Sequence, residues 1–244
     1  MGAVRPALLE DLNPMTWSVG YLNVPLSEAT RALVEWRREI GRGPKTIELV
    51  GSLNAHLLLL PPLIAEAAPR ELMVAFGQEW TAFFDCGLLG TEARSAIGHL
   101  SRTIGCLGLA IRNVPSIEAR AGSSGKAGSV QFTLMGAART DWLNHIRSLA
   151  CVEEDRGWTF SATGTVQPFE DVKAYSARLV RDRFTPAMLQ AYCRATTHRD
   201  VFDSSAYGPN AVLVNNTVIM PDKPTVLSLA DARRWYGIQP KQLA

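Results

Sequence analysis

The sequence predicts an α+β fold, with a mainly antiparallel sheet, helices packed on it and a helical C-terminal part. Three observations carry that expectation. Apolar residues alternate with polar or small ones in several short runs, as half-buried strands require. Between these runs lie stretches whose apolar residues recur at steps of three and four, the period of an amphipathic helix. From residue 71 to 163 the elements read strand, strand, helix, strand, strand, helix, strand. Consecutive strands joined by short loops imply antiparallel pairing rather than a Rossmann-type sheet.

Element by element, Trp17 to Tyr21 alternates as a strand, and Ser27 is placed to cap a helix whose stripe is Ala29, Leu33, Trp36 and Ile40, closed by Gly41 and Gly43. Ile47 and Leu49 suggest a second short strand. Leu53 to Ala65 reads as a buried helix stopped at Pro61. Glu71–Phe76 and Trp80–Phe84, separated by Gly77-Gln78-Glu79, have the form of a hairpin at the centre of the sheet. Thr91 and Glu92 open a helix with the stripe Ala93, Ile97, Leu100 and Ile104. Leu107, Leu109 and Ile111 alternate as a strand, as do Val130, Phe132 and Leu134, with the glycine- and serine-rich stretch 121–128 between them. Thr140 and Asp141 are read as the start of a helix carrying Trp142, Ile146 and Leu149, and Trp158, Phe160 and Ala162 as the strand after it.

Beyond residue 165 the pattern leans helical. One helix is expected from Phe169-Glu170-Asp171 with Val172, Tyr175 and Leu179 inward, and another from Thr185-Pro186 with Met188, Tyr192 and Cys193 toward the core. Val212 to Ile219 suggests a hairpin about Asn215-Asn216. Ser228 to Tyr236 reads as a closing helix with Ser228 and Asp231 at capping-box spacing. No repeat or linker divides the chain, so a single domain over 1–244 is expected, with 1–65 as an alternative subdomain.

At 244 residues with 47% hydrophobic and 20% charged residues, the chain is well able to bury a core. Its 25 basic and 23 acidic residues are interspersed, which argues against a nucleic-acid-binding face. The N-terminus lacks the order of a secretory signal, and the most apolar stretch is broken by His56 and Pro61-Pro62, short of the about 20 apolar residues a span needs. No membrane association is expected. Cys86, Cys106, Cys151 and Cys193 are far apart, which fits reduced thiols in the cytoplasm better than a disulfide framework or a zinc site.

Several constellations resemble chemistry without completing it. Gly122-Ser-Ser-Gly-Lys126 looks like a fragment of a phosphate loop, but Arg120 occupies the first glycine's place, Ala127 replaces Ser or Thr, and a strand follows instead of a helix. Cys86 follows a strand and precedes a helix, where a thiolate could be favoured, and with Asp85 and His99 it forms the candidate catalytic set of an enzyme reading. The four histidines form no metal-binding motif, and no cofactor is implied. Arg178 and Arg181, at i, i+3 on the expected helix, and Arg233, Arg234, Trp235 and Tyr236 near the C-terminus are the candidate partner-interface residues. The other five tryptophans fall on the apolar phase of their elements and are expected in the core.

The run from Trp80-Thr-Ala-Phe-Phe-Asp85 through Val166-Gln-Pro-Phe-Glu-Asp171 to Tyr175-Ser-Ala-Arg178 resembles a family of uncharacterised, largely actinobacterial proteins over residues 70 to 210. That family brings no catalytic residues with it. Compact α+β chains without catalytic motifs also resemble the immunity proteins that neutralise bacterial polymorphic toxins. The expected function is therefore a non-enzymatic protein-binding module, an immunity protein covering the active site of a cognate toxin, with homo-oligomer formation open. The alternative is a small-molecule enzyme or ligand-binding protein with a cleft near Cys86 and His99.

Overall fold

A computed structural model of the chain describes residues 6–88 and 92–239. The chain runs β1 (Ser18–Leu22), α1 (Leu26–Glu39), β2 (Lys45–Val50), α2 (Leu53–Leu57), β3 (Leu63–Ile64), β4 (Arg70–Phe76), β5 (Trp80–Asp85), α3 (Glu92–Ile104) and β6 (Gly108–Val114). It continues through β7 (Ser129–Met135), β8 (His145–Glu154), β9 (Gly157–Gly164), α4 (Pro186–Thr197), β10 (Tyr207–Asn215), β11 (Val226–Leu227) and α5 (Leu229–Tyr236). Nine strands form one antiparallel sheet in the order β2-β10-β4-β5-β1-β6-β7-β8-β9, and β3 pairs with β11 separately. The first 65 residues thus supply the sheet's central strand, β1, and one of its edges, β2.

Strand alternation sends side chains to two cores. On one face Trp17, Val19, Tyr21, Leu72, Phe84, Phe132 and Leu149 pack under α2, α4 and α5. On the other, Leu22, Met73, Phe83 and Ala110 meet α1 and α3 through Ala29, Leu33, Ala96, Ile97 and Leu100. The depth at which α3 sits depends on two glycines. A Cβ at Gly20 would lie 2.3 Å from Ile97 Cγ1, and one at Gly108 would lie 2.7 Å from Ile97 Cγ2. Only bare backbone at β1 and β6 lets the Ile97 side chain reach the sheet.

Most expected strands are present, including the β4–β5 hairpin, whose turn holds Gly77 at φ 68°. Both C-terminal caps are also present: Thr185 accepts from the Met188 amide, and Ser228 accepts from the Asp231 amide. At the first helix the cap is Pro25 rather than Ser27, and its carbonyl accepts from the Glu28 and Ala29 amides. Thr91, the expected opening of α3, lies outside the described residues.

Four segments differ from the sequence reading. Residues 140–149 are a turn leading into β8, whose inward positions His145, Arg147, Leu149 and Cys151 alternate as a strand's must. The stretch after Phe169 makes only single turns at Ala174–Ser176 and Val180–Asp182, leaving Val172 and Leu179 exposed. Its anchor is the Glu170 carboxylate, which pairs with the buried Arg147 guanidinium on β8 at 2.7 Å and accepts from the Gln167 amide and the Tyr175 hydroxyl. Asn215-Asn216 makes no hairpin, because Asn216 turns inward to donate to Glu71 on β4, itself paired with Arg37 of α1. Finally, the 53–65 stretch is helical only over Leu53–Leu57 before joining β3. The C-terminal part therefore mixes α4 and α5 with β10 and β11.

Candidate functional site

Along the outer side of α3, Arg94, Gly98 and Arg102 recur at steps of four and form a stripe one residue wide. The turn between β7 and β8 lies against this stripe. Asn144 holds it there: its side-chain amide donates to the Gly98 carbonyl at 3.1 Å, to Ser101 Oγ at 3.0 Å and to the Gly136 carbonyl at 2.8 Å. Within the turn, the Thr140 amide donates to the Leu143 carbonyl, the Trp142 amide donates to Thr140 Oγ1, and Leu143 sits at φ 59°, a conformation costly for a branched residue. The result projects Trp142 and Leu143 into solvent, 67% and 64% exposed.

Between helix and turn lies a groove of about 430 Å³ lined by Arg94, Ser95, His99, Arg102, Trp142 and His145, among others. A smaller depression sharing Arg94 and Ser95 extends it over the sheet toward Arg112, Gln131 and Thr133. No aspartate or glutamate lines either depression among the described residues. His99 stacks on Trp36 at 4.1 Å, with the Arg37 guanidinium over the same indole. Burial holds the His99 imidazole below its ordinary pKa, reinforced by Arg102 and Arg37, with Glu39 acting in the opposite sense. Burial likewise lowers His145, with Arg94 adding to it. Both rings are therefore neutral near pH 7 and offer one donor and one acceptor each.

His145 is 8% exposed, and its Nδ1 makes no hydrogen bond. A buried ring nitrogen without a partner costs roughly 1–3 kcal/mol. Two guanidinium groups, two neutral imidazoles and an exposed indole together suit an anionic group carried beside an apolar one. They do not make a nucleophile with its base, since no hydrogen bond joins Ser95 to either imidazole.

The sequence-derived enzyme set is not brought together. Cys86 is fully buried in the core on the opposite side of the sheet from His99, and burial raises its thiol above the ordinary value, with Asp85 adding to the rise. The Asp85 carboxylate accepts from the Gly87 amide. Among the described residues no cluster of His, Cys, Asp or Glu is placed to hold a metal ion.

The expected interface residues are also dispersed. Tyr236 is buried against Trp17 and donates to the Leu88 carbonyl, while Arg233 donates to the carbonyls of Glu10 and Asp11. Trp235 is half exposed, and Arg234 pairs with Asp231 at 3.0 Å. Arg178 and Arg181 are exposed but share no helix face, because the helix expected there is absent. Trp142, expected in the core, is the most exposed tryptophan. The Arg94-Gly98-Arg102 spacing was visible in the sequence, but nothing local tied it to residues 142–145.

Fold and groove define a class: an α+β protein built on one large antiparallel sheet, with a basic groove beside an exposed apolar turn. Comparison with known protein families, with curated proteins and with solved structures finds no match to this chain. No helix among the described residues is long and apolar enough to cross a membrane.

Proposed function

We propose that this chain is a non-enzymatic protein-binding module that takes an acidic partner in the α3 groove, with Trp142 and Leu143 as its apolar anchors. One observation carries the reading: an exposed Trp-Leu pair on a hydrogen-bonded turn borders a groove whose charged lining is basic throughout. An exposed tryptophan held rigidly loses little conformational freedom on binding, and guanidinium groups recognise carboxylates bidentately. Within this class the reading we favour is an immunity protein that covers the active site of a cognate bacterial toxin. Its resemblance to such proteins and the groove's lack of a nucleophile–base pair support it. The four free thiols, spread over the fold, support a reducing compartment, and we place the protein in the cytoplasm.

The test is site-specific. A photo-crosslinking amino acid at Trp142 is compared with one at Trp235, in the wild-type background and with Arg94→Glu and Arg102→Glu. A single stoichiometric adduct at 142 alone, lost on charge reversal while the far-UV spectrum is unchanged, is expected. Equal adducts at both positions, or indifference to charge reversal, would refute the groove as the interface. Growth assays with adjacent reading frames then separate the immunity reading, which requires one of them to be toxic when this chain is absent.

A further inference from the structure

The two edges of the sheet are built differently. Edge strand β2 carries Lys45 and Glu48, charges that discourage another strand from pairing with it. The opposite edge, β9, pairs only with β8, and from Gly157 to Gly164 it contains no charged residue and no proline. Thr159, Ser161, Ala162 and Thr163 are exposed, while Trp158 and Phe160 are half-buried on the face covered by the Val180–Asp182 turn. The outward backbone groups of residues 158–163 make no further hydrogen bond among the described residues. Such an edge is a template for strand addition.

We propose that β9 is a self-association edge, which a second copy of this chain fills by antiparallel pairing centred on Phe160. The sequence is compatible with itself in this register. Strands related by a two-fold axis normal to the sheet pair residues of the same face, so paired residue numbers must sum to an even value. Centring on Phe160 places Phe160 opposite its copy, Trp158 opposite Ala162 and Thr159 opposite Ser161. These are an aromatic pair, a large residue against a small one and a hydroxyl pair, all favoured cross-strand combinations. Moving the centre to Ser161 would set Trp158 against Gly164 and lose its partner.

No charge opposes a like charge within the paired segment. The closest charges on the turn packed against β9, Arg181 and Asp182, already lie 4.0 Å from each other with opposite sign. A second copy closes this edge, leaving only the charged β2 edges at the ends of the joined sheet. Strand addition alone buries less than the roughly 1,200 Å² of a stable standard interface, so the dimer should be reversible and concentration-dependent.

Sedimentation-velocity measurements over a concentration series test this, with folding checked by circular dichroism. The wild type should show a monomer–dimer equilibrium. Thr159→Lys with Ser161→Lys sets lysine against lysine at both cross-strand positions and should weaken the dimer by at least about tenfold. Thr159→Lys with Ser161→Glu sets lysine against glutamate at the same two positions and should restore it. Should the double lysine variant fail to fold, the double glutamate variant supplies the same repulsion. A wild type that stays monomeric at every concentration overturns the proposal, as do like-charged and opposite-charged variants that dimerise equally or fail equally.

Discussion

Replacing Glu170 by alanine would strip a buried guanidinium of its counter-charge. The two side chains are 0% and 4% exposed, and Arg147 Nε and Nη2 both donate to the carboxylate, at 2.7–3.2 Å. Arg147 would retain only the bond from Nη1 to the Gly164 carbonyl. The Gln167 amide and the Tyr175 hydroxyl would lose their acceptor as well. Breaking a buried pair from one side costs about 3–5 kcal/mol, because the remaining charge stays desolvated. For a chain of this size that corresponds to a fall in Tm of roughly 6–20 °C. Guanidinium unfolding followed by tryptophan fluorescence measures it. Burial alone would push the Glu170 carboxyl up, but Arg147, the Gln167 amide and Tyr175 hold it below the ordinary 4.5. The pair therefore stabilises the fold fully above that value, and its contribution is lost as pH falls through the depressed pKa, because the unfolded chain takes the proton first. A loss below about 1 kcal/mol, or a wild-type pH profile in acid identical to that of Glu170→Ala, would refute the assignment of Glu170 as the anchor of the 165–184 segment.

Three further outcomes follow from the same geometry. Asn144→Ala should cost about 1–3 kcal/mol by removing the side-chain donor shared by the Gly98 and Gly136 carbonyls and Ser101 Oγ, and should raise hydrogen exchange in residues 137–144 above that of β7; unchanged exchange would mean the turn is held by other contacts. Ellman's reagent on the native protein should label Cys106 first, slowly, since burial pushes its thiol up to about 11, while Cys86, Cys151 and Cys193 react only on unfolding; fast labelling of Cys86 would reopen the enzyme reading. Imidazole titrations by NMR should place His99 and His145 below 6.5 in the free protein, so stability is complete above that pH and declines below it as the unfolded chain protonates first. An anionic ligand in the groove should raise both values, and free-protein midpoints at or above 6.5 would contradict the buried, Arg-flanked environment.

How much of the fold was legible depended on whether the deciding contact was local. Caps and turns were readable, because Thr185, Ser228 and Gly77 act within a few residues of themselves. Residues 142–149 were not, because Leu149 satisfies two templates at once. With Trp142 and Ile146 it makes a helical stripe, and with Arg147 and Cys151 a strand. The choice is made by pairing with Phe132 on β7 and Ala162 on β9, contacts that no local window contains. A buried arginine at 147 also misleads, since it looks solvated until Glu170 is placed beside it. The same ion pair explains the missing helix after Phe169: a carboxylate drawn into the sheet cannot also serve a helix N-terminus.

The groove was hidden for a related reason. Its cationic stripe comes from one helix and its anchors from a turn some forty residues later, joined by a single asparagine. What fixes their separation lies beneath both, where Gly20 and Gly108 admit Ile97 and so set how deep α3 sits. The next residue, Gly98, faces outward and offers Asn144 a carbonyl unshielded by a side chain. Packing under the helix and hydrogen bonding above it thus act through consecutive residues. A substitution that lifts α3 from the sheet should therefore disturb the groove even though it touches no groove-lining side chain.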